Sequence, residues 1–140
     1  MMNLDFYKGK RVLLTGHTGF KGMWLSLLLL HAGAEVTGYA LDAPTDGGAQ
    51  TLKRLGILNE MCDVRGDVCD GVALSRVFRA ARPEIVFHLA AQPIVRESYR
   101  QPVSTFAVNV MGTVNLLECV RISDTVRSVL IVTTDKVYEN

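Results

Sequence analysis

The chain carries almost no excess of either charge. Fifteen Lys and Arg face 14 Asp and Glu over 140 residues, a formal net charge of +1. Such a balance gives no field to gather nucleic acid or an acidic lipid surface, and no run of five Lys or Arg occurs. Nucleic acid is therefore excluded as a partner. Cysteine is scarce too: Cys62, Cys69 and Cys119 make an odd count, with no C-x-x-C pair and no histidine at ligand spacing. That pattern excludes a disulfide framework and a zinc site and predicts reduced core thiols, with no metal. Long apolar runs are missing. The longest, residues 23–30 with Ser26 inside it, falls short of the ~20 residues that span a bilayer and predicts a buried helix face instead. The first residues lack the basic, apolar and small-residue regions of a secretory leader, so no membrane partner is expected and the cytoplasm is the expected compartment. His17 and His31 have no serine and acid at triad spacing, and no G-x-S-x-G occurs, which disfavours a hydrolase.

What is present is a globular composition, 49% hydrophobic and 21% charged, which excludes disorder over most of the length. Strand-length apolar runs at 11–15, 35–41, 61–65, 85–89 and 128–134 alternate with helical stretches at 22–31, 51–58, 71–81 and 103–122. In the last helix Phe106, Val110, Val114, Leu117 and Val120 recur at roughly helical spacing and are expected to cover a sheet face. RVLLT, EIVFHLA and SVLIVTT are apolar on both faces, as in parallel strands buried from both sides. The expected fold is therefore α/β, a doubly wound parallel sheet of Rossmann type. The turn-rich segment 42–50 after the second strand is expected to be a loop near a ligand. Sheets of this class usually carry six or more strands, so a chain ending after the fifth is expected to be a piece of a larger protein.

The first strand runs into Gly16, His17, Thr18, Gly19, Phe20, Lys21 and Gly22, a G-x-x-G-x-x-G loop followed by a helix. The first glycine permits the sharp turn, the second lets backbone approach a pyrophosphate, and the third lets the helix pack close to the sheet. The helix N-terminus then faces the phosphates with free N–H groups. Gly16, Thr18, Gly19, Phe20 and Gly22 are thus expected to bind a dinucleotide. Asp42, twenty residues beyond Gly22, is placed to accept hydrogen bonds from the adenosine ribose, or is a plain loop acid. No Arg or Lys occurs from Leu41 to Gln50, so a 2′-phosphate would find no cation there, which points to NAD rather than NADP. Asp67 in RGDVCD is either an adenine-binding acid or a capping acid for the helix that follows.

TGHTGFKG, GDV after the third strand, FHLAAQP, NVMGTVNLLE and the closing TTDKVYEN together resemble the extended short-chain dehydrogenases/reductases that act on nucleotide sugars, the NAD-dependent epimerase/dehydratase family. The resemblance covers essentially the whole chain and, in GHTGFKG, GYALD, HLAAQPIVRESYRQP and TTDKVYEN, is greatest with the branch that dehydrates CDP-glucose. It implies a lyase in deoxysugar and O-antigen lipopolysaccharide biosynthesis, holding NAD and forming CDP-4-keto-6-deoxyglucose, in a homo-oligomer. Thr134 would then hydrogen-bond the C4 oxygen, Asp135 protonate the departing C6 hydroxyl, and Lys136 assist removal of the C5 proton. His88 and Ala90 would lie beside the cofactor, and Gln92, Arg96, Ser98 and Asn109 toward the sugar nucleotide. Four of these have a plainer reading: His88 satisfied by backbone, Asn109 bonding within its helix, Arg96 and Ser98 solvated in a loop. Elimination of water beside a ketone needs an acid and a base on adjacent carbons, and neighbouring side chains at a strand's end can supply both.

One family feature is missing. Members abstract the C4 hydroxyl proton with the tyrosine of a Y-x-x-x-K pair, and no tyrosine here has lysine four residues later. Residues 1–140 are therefore expected to be an incomplete NAD-binding domain, without the C-terminal nucleotide-sugar part and inactive alone. Another nucleotide-sugar epimerase or dehydratase, and a non-catalytic NAD-binding sensor or scaffold, remain as rival functions.

Overall fold

The computed structural model describes residues 4–43 and 47–134. Its elements in chain order are β1 (Arg11–Thr15), α1 (Phe20–His31), β2 (Glu35–Ala40), α2 (Gly48–Leu55), β3 (Cys62–Arg65), α3 (Gly71–Ala81), β4 (Ile85–His88), α4 (Val95–Arg100), α5 (Pro102–Phe106), α6 (Gly112–Ile122) and β5 (Ser128–Ile131). Every strand pairing is parallel, in the order β3-β2-β1-β4-β5. The chain winds one way from β1 to β3 and the other way from β4 to β5. The carboxyl ends of β1 and β4 therefore flank the switch point at which sheets of this kind open a crevice.

Successive side chains of a strand point to opposite faces, and β1 feeds two cores accordingly. Leu13 joins Tyr39, Val68, Leu74, Phe78, Val86, Leu116 and Cys119 beneath α3 and α6. Val12 and Leu14 join Leu29, Val36, Ile85 and Phe87 beneath α1. β1 and β4, with a helix layer on each side, are buried along almost their whole length. β5 departs from the expected doubly buried strand: it ends at Ile131, and its residues are exposed or half-buried, because among the described residues only β4 pairs with it.

Local chemistry explains several shifted boundaries. α2 begins at Gly48, inside the expected loop, and stops at Gly56, whose φ of 67° is left-handed; Ile57–Asn59 then form a 3₁₀ turn rather than continuing a helix to residue 58. α3 starts on Asp70, whose side chain accepts from Ala73 N at 2.9 Å. Residues 95–100, expected to be loop, form α4.

The helical run 102–122 is continuous but passes through a π turn, Ala107–Met111. Its sheet-facing stripe is Gly112, Leu116 and Cys119. The expected stripe is largely turned outward: Phe106, Val110, Val114 and Leu117 are exposed, and Val120 alone of that set packs against the core. Apolar residues line two sides of this helix, and close approach selects the side carrying glycine: a Cβ on Gly112 would lie 2.6 Å from Val68 Cγ2. The run Pro102–Ile122 is also long and apolar enough to cross a membrane by length and composition alone, although polar residues interrupt it. In α1 the expected buried face reduces to Gly22, Met23, Ser26 and Leu29, with Trp24 and Leu28 exposed. Of the three thiols only Cys119 is a core residue; Cys62 and Cys69 are exposed.

Candidate functional site

The glycine loop leaves β1 in a turn that only Gly16 can make at low strain, with φ 77° and its N–H donated to Tyr39 O at 2.9 Å. A Cβ on Gly16 would also lie 2.8 Å from Ala90 N, so the loop is pressed against the segment leaving β4. At Gly22 a Cβ would overlap Gly16 O and lie 2.7 Å from His17 Cα. Gly19 differs: the nearest atom to a Cβ there is Gly16 O at 3.4 Å, and its outer side is open. α1 starts at Gly19 with no side-chain cap and no acidic residue in its first turn. Its first N–H groups and the positive end of its dipole therefore meet any group lying over the loop, an arrangement suited to a pyrophosphate. Phe20 and Lys21 are exposed beside it, and Thr18 is buried, donating through Oγ1 to Leu41 O at 3.0 Å.

His88 at the end of β4 is buried, with Nδ1 2.7 Å from Thr15 Oγ1 and Nε2 3.1 Å from Thr113 Oγ1. The proton positions follow from the partners. Thr113 donates to Asn109 O at 2.8 Å, so it accepts from His88 Nε2–H; Thr15 Oγ1 accepts from Leu89 N and Ala90 N, both at 3.2 Å, and donates to His88 Nδ1. The histidine is thus satisfied by two threonine hydroxyls, not by backbone, and offers no ring nitrogen to a ligand. It ties the ends of β1 and β4 to the π turn.

Asn109 lies in that turn and does not bond only within its helix. Its Oδ1 accepts from Gln92 N at 2.8 Å and its Nδ2 donates to Gln92 O at 3.1 Å, pinning the segment after β4. The Gln92 amide bridges Thr105 Oγ1, at 3.0 Å, and Ile94 N, at 2.6 Å. A π turn whose side chain organises a neighbouring loop is a common site device. Arg96 and Ser98 sit on α4, where Ser98 Oγ donates to Val95 O at 2.7 Å; the structure shows no bond between them and Asn109.

On the far side, Asp42 stands two residues past β2 and is exposed. Contrary to the expectation from residues 41–50, the sheet brings a cation to it. β3 pairs with β2 so that Arg65 faces Ala40, and Arg65 Nε comes within 4.0 Å of Asp42 Oδ1. Arg65 also donates to Leu41 O at 3.2 Å and to Asp63 Oδ2 at 2.8 Å. Asp63 in turn accepts from His17 Nε2 at 2.7 Å, an acid partner that spacing along the chain had not shown. A Cβ on Gly38 would lie 2.5 Å from His17 Cγ, so the glycine on β2 makes room for this ring. Asp67 is not the helix cap, which is Asp70. Its Oδ1 accepts from Cys69 N at 2.9 Å, while its backbone O accepts from Tyr39 OH. Thr134 is exposed at the end of the described residues. Asp135 and Lys136 lie outside them.

Burial pushes the pKa of His88 below its ordinary value of 6.5. His17 is lowered chiefly by burial, with Asp63 raising it and Arg65 lowering it further. A histidine held neutral in the fold protonates more readily when unfolded, so its stabilising effect is complete above 6.5 and is lost as pH falls below it. The thermal midpoint should therefore decline from about pH 6.5 downward, well before Glu84, whose carboxyl is lowered by the Arg11 backbone N–H, begins to titrate. A flat midpoint between about pH 7 and pH 5 would contradict both assignments.

A family model described as GDP-mannose 4,6 dehydratase matches residues 13–139. The chain is 50% identical over 141 aligned residues to the CDP-glucose 4,6-dehydratase of Salmonella typhimurium, covering 100% of this chain and 38% of that protein. It is 36% identical over 137 residues to the dTDP-glucose 4,6-dehydratase of Xanthomonas campestris, covering 90% of this chain and again 38% of the relative. Among solved structures, an epimerase from Methanothermobacter thermautotrophicus superposes with TM-score 0.77 at 29% identity, over 94% of this chain and 37% of the other. A UDP-glucose-4-epimerase from Stenotrophomonas maltophila, solved with bound NAD and formylated UDP-arabinopyranose, does so with TM-score 0.77 at 25% identity, over 94% and 39%. The chain thus spans about two fifths of these relatives, and with a family match that starts in β1 and runs through β5, it belongs to the GDP-mannose 4,6 dehydratase family.

Proposed function

We propose that residues 1–140 are the NAD-binding part of an enzyme that dehydrates CDP-glucose to CDP-4-keto-6-deoxyglucose, with the nucleotide-sugar part and the Y-x-x-x-K pair lying outside this sequence. The observation that carries the reading is the 50% identity along the entire chain to a CDP-glucose 4,6-dehydratase. The residues present suit the cofactor: the open side of Gly19 and the uncapped start of α1 leave room for a pyrophosphate, and the exposed Asp42 just past β2 supports a role as acceptor for a ribose diol. Bound there, NAD would supply the hydride acceptor for C4 oxidation and the donor for the return to C6.

The C4 hydroxyl proton is left to the tyrosine outside this sequence, and the chain's own residues have the following roles. Gly16, Thr18, Gly19, Phe20 and Gly22 form the phosphate cradle. The His88, Thr15 and Thr113 bonds keep the mouth between β1 and β4 at fixed width, and Asn109 holds Gln92 at its rim. Thr134 hydrogen-bonds the sugar C4 oxygen, Lys136 takes the C5 proton, and Asp135 gives a proton to the C6 hydroxyl as it leaves as water. The chemistry needs an acid and a base on adjacent carbons. An ammonium next to the C4 oxygen also stabilises the enolate that forms when C5 loses its proton. Gln92, Arg96, Ser98 and Asn109 belong to the sugar-nucleotide side. Such an enzyme would work in the cytoplasm as a homo-oligomer in deoxysugar supply for lipopolysaccharide; the exposed Phe106, Val110, Val114 and Leu117 support a covered face.

The test is incubation of the full-length protein with CDP-glucose and with UDP-glucose. A 4-keto-6-deoxy product from CDP-glucose is expected. A 4-epimer in its place would transfer the reading to an epimerase, and NAD retention without turnover of either sugar would favour a binding module.

A further inference from the structure

Three successive residues of the glycine loop are fastened to the strands beside it. Gly16 N–H donates to Tyr39 O at 2.9 Å, Thr18 Oγ1 donates to Leu41 O at 3.0 Å, and between them the His17 ring turns inward against Gly38 of β2. The His17 side chain is fully buried and its Nδ1 has no hydrogen-bond partner among the described residues. The bond from Nε2 to Asp63 Oδ1, at 2.7 Å, is then the polar contact that orients the ring, and a carboxylate that only accepts puts the ring proton on Nε2. Asp63 Oδ2 accepts from Arg65 Nη2 at 2.8 Å, and Arg65 Nη1 donates to Leu41 O at 3.2 Å, the same carbonyl that Thr18 uses. The bonds therefore close on themselves: His17, Asp63, Arg65, Leu41 and Thr18 form a circuit completed by the peptide bond between residues 17 and 18. α1 rests on the same residue, since a Cβ on Gly22 would lie 2.7 Å from His17 Cα. A buried nitrogen left unpaired is unfavourable and an apolar side chain would avoid it, so packing alone does not account for the histidine.

We infer that His17 is a positioning residue for the dinucleotide: the closed circuit of hydrogen bonds through its ring makes the phosphate cradle, the end of β2 and β3 one rigid body. The inference rests on the dinucleotide reading given above and adds to it a side chain buried beneath the loop, where no ligand reaches. Without the circuit, residues 16–18 would be tethered by Gly16 N–H and Thr18 Oγ1 alone, and the first N–H groups of α1 could pivot about them. With it closed, those N–H groups hold their direction before a pyrophosphate arrives, which lowers the ordering cost of binding. A closed circuit also fails at its first break, so that opening it at Arg65 has the same consequence as opening it at His17.

The test uses the full-length protein. Arg65→Met opens the circuit at a partly exposed corner outside the loop. His17→Asn opens it inside, because the Asn amide ends near the position of Nδ1 and falls short of Asp63, whereas His17→Gln keeps an N–H near the position of Nε2. Two quantities are read: NAD affinity by calorimetry, and amide exchange of residues 16–23 in ligand-free protein, which a direct contact of Arg65 with a ligand cannot alter. Each break should weaken NAD binding by about 10- to 100-fold, the scale of a hydrogen bond to a charged group, and speed exchange across the loop. The double variant should lie within about twofold of the weaker single one, and His17→Gln should stay near native. Losses that multiply in the double variant, or native exchange at residues 16–23 in Arg65→Met, overturn the circuit. A folded His17→Gln that binds no better than a folded His17→Asn overturns the Nε2 donor. Should His17→Asn unfold, Arg65→Met carries the test, its thermal midpoint being expected within a few degrees of native. Failure of the native protein to bind NAD overturns the dinucleotide reading, while loop exchange in Arg65→Met still decides whether the circuit holds the loop.

Discussion

Replacing Gly22 with alanine should unfold the glycine loop, whereas valine at Gly19 should leave the fold intact and remove dinucleotide binding. The two outcomes differ because the obstacles differ. At Gly22 the added methyl would meet Gly16 O, Gly16 C and His17 Cα, all backbone atoms of the same turn, and none can rotate away. Overpacking against movable side chains costs about 1–3 kcal/mol, and a rigid backbone obstacle places Gly22→Ala at or above the top of that range. At Gly19 the nearest atom is 3.4 Å away, an accommodation of a few tenths of an ångström, so the larger side chain projects outward into the space over α1's first turn. Thermal melts and NAD titration of the two variants separate the roles. An unfolded Gly19→Val, or a Gly22→Ala as stable as native, would show that these backbone distances do not govern the loop.

In the full-length protein, Asp135→Asn should spare C4 oxidation and slow water loss by about 10²–10⁴, the usual scale for one general acid. An amide cannot give its proton to the departing C6 hydroxyl. Reduced nicotinamide should therefore accumulate in single turnover, visible by its absorbance, while the 4-keto-6-deoxy product lags. Residues 1–140 alone should give neither signal, since they contain no Y-x-x-x-K to accept the C4 proton. Unchanged product formation by Asp135→Asn would reject the assignment of this acid, and turnover by the short chain would reject the need for the tyrosine.

The layered sheet was legible because β1 and β4 are apolar at their core positions up to Thr15 and His88 at their carboxyl ends, and the glycine loop follows β1 without a gap. What escaped reading depended on neighbours remote in sequence. Arg65 reaches Asp42 only because β3 pairs with β2 in one register, and no window along the chain contains both. The His17–Asp63 pair, 46 residues apart, is invisible for the same reason. Helical periodicity located a helix at 103–122 but chose the wrong one of its two apolar sides, that of Phe106, Val110, Val114 and Leu117; Gly112 against Val68 makes the choice in three dimensions. α4 has six residues, too few for periodicity to register. Asp67 and Asp70 both precede α3, and only the bond to Ala73 N tells which one caps it. Asn109 was singled out by motif, yet its partner Gln92 required the π turn.

The bonds around His88 have a direction. They begin at two backbone donors, Leu89 N and Ala90 N, and end at a backbone acceptor, Asn109 O. Neither end can reverse, since an amide nitrogen cannot accept and a carbonyl cannot donate. Every hydroxyl and ring proton between them is consequently locked into a single orientation. A histidine at the mouth of a crevice invites suspicion as an acid or base, but this one can neither receive a proton at Nδ1 nor release one from Nε2 without stranding a threonine. It is chemically mute, a spacer whose hydrogen atoms are dictated from both ends, and the protons of the proposed reaction must travel by other groups.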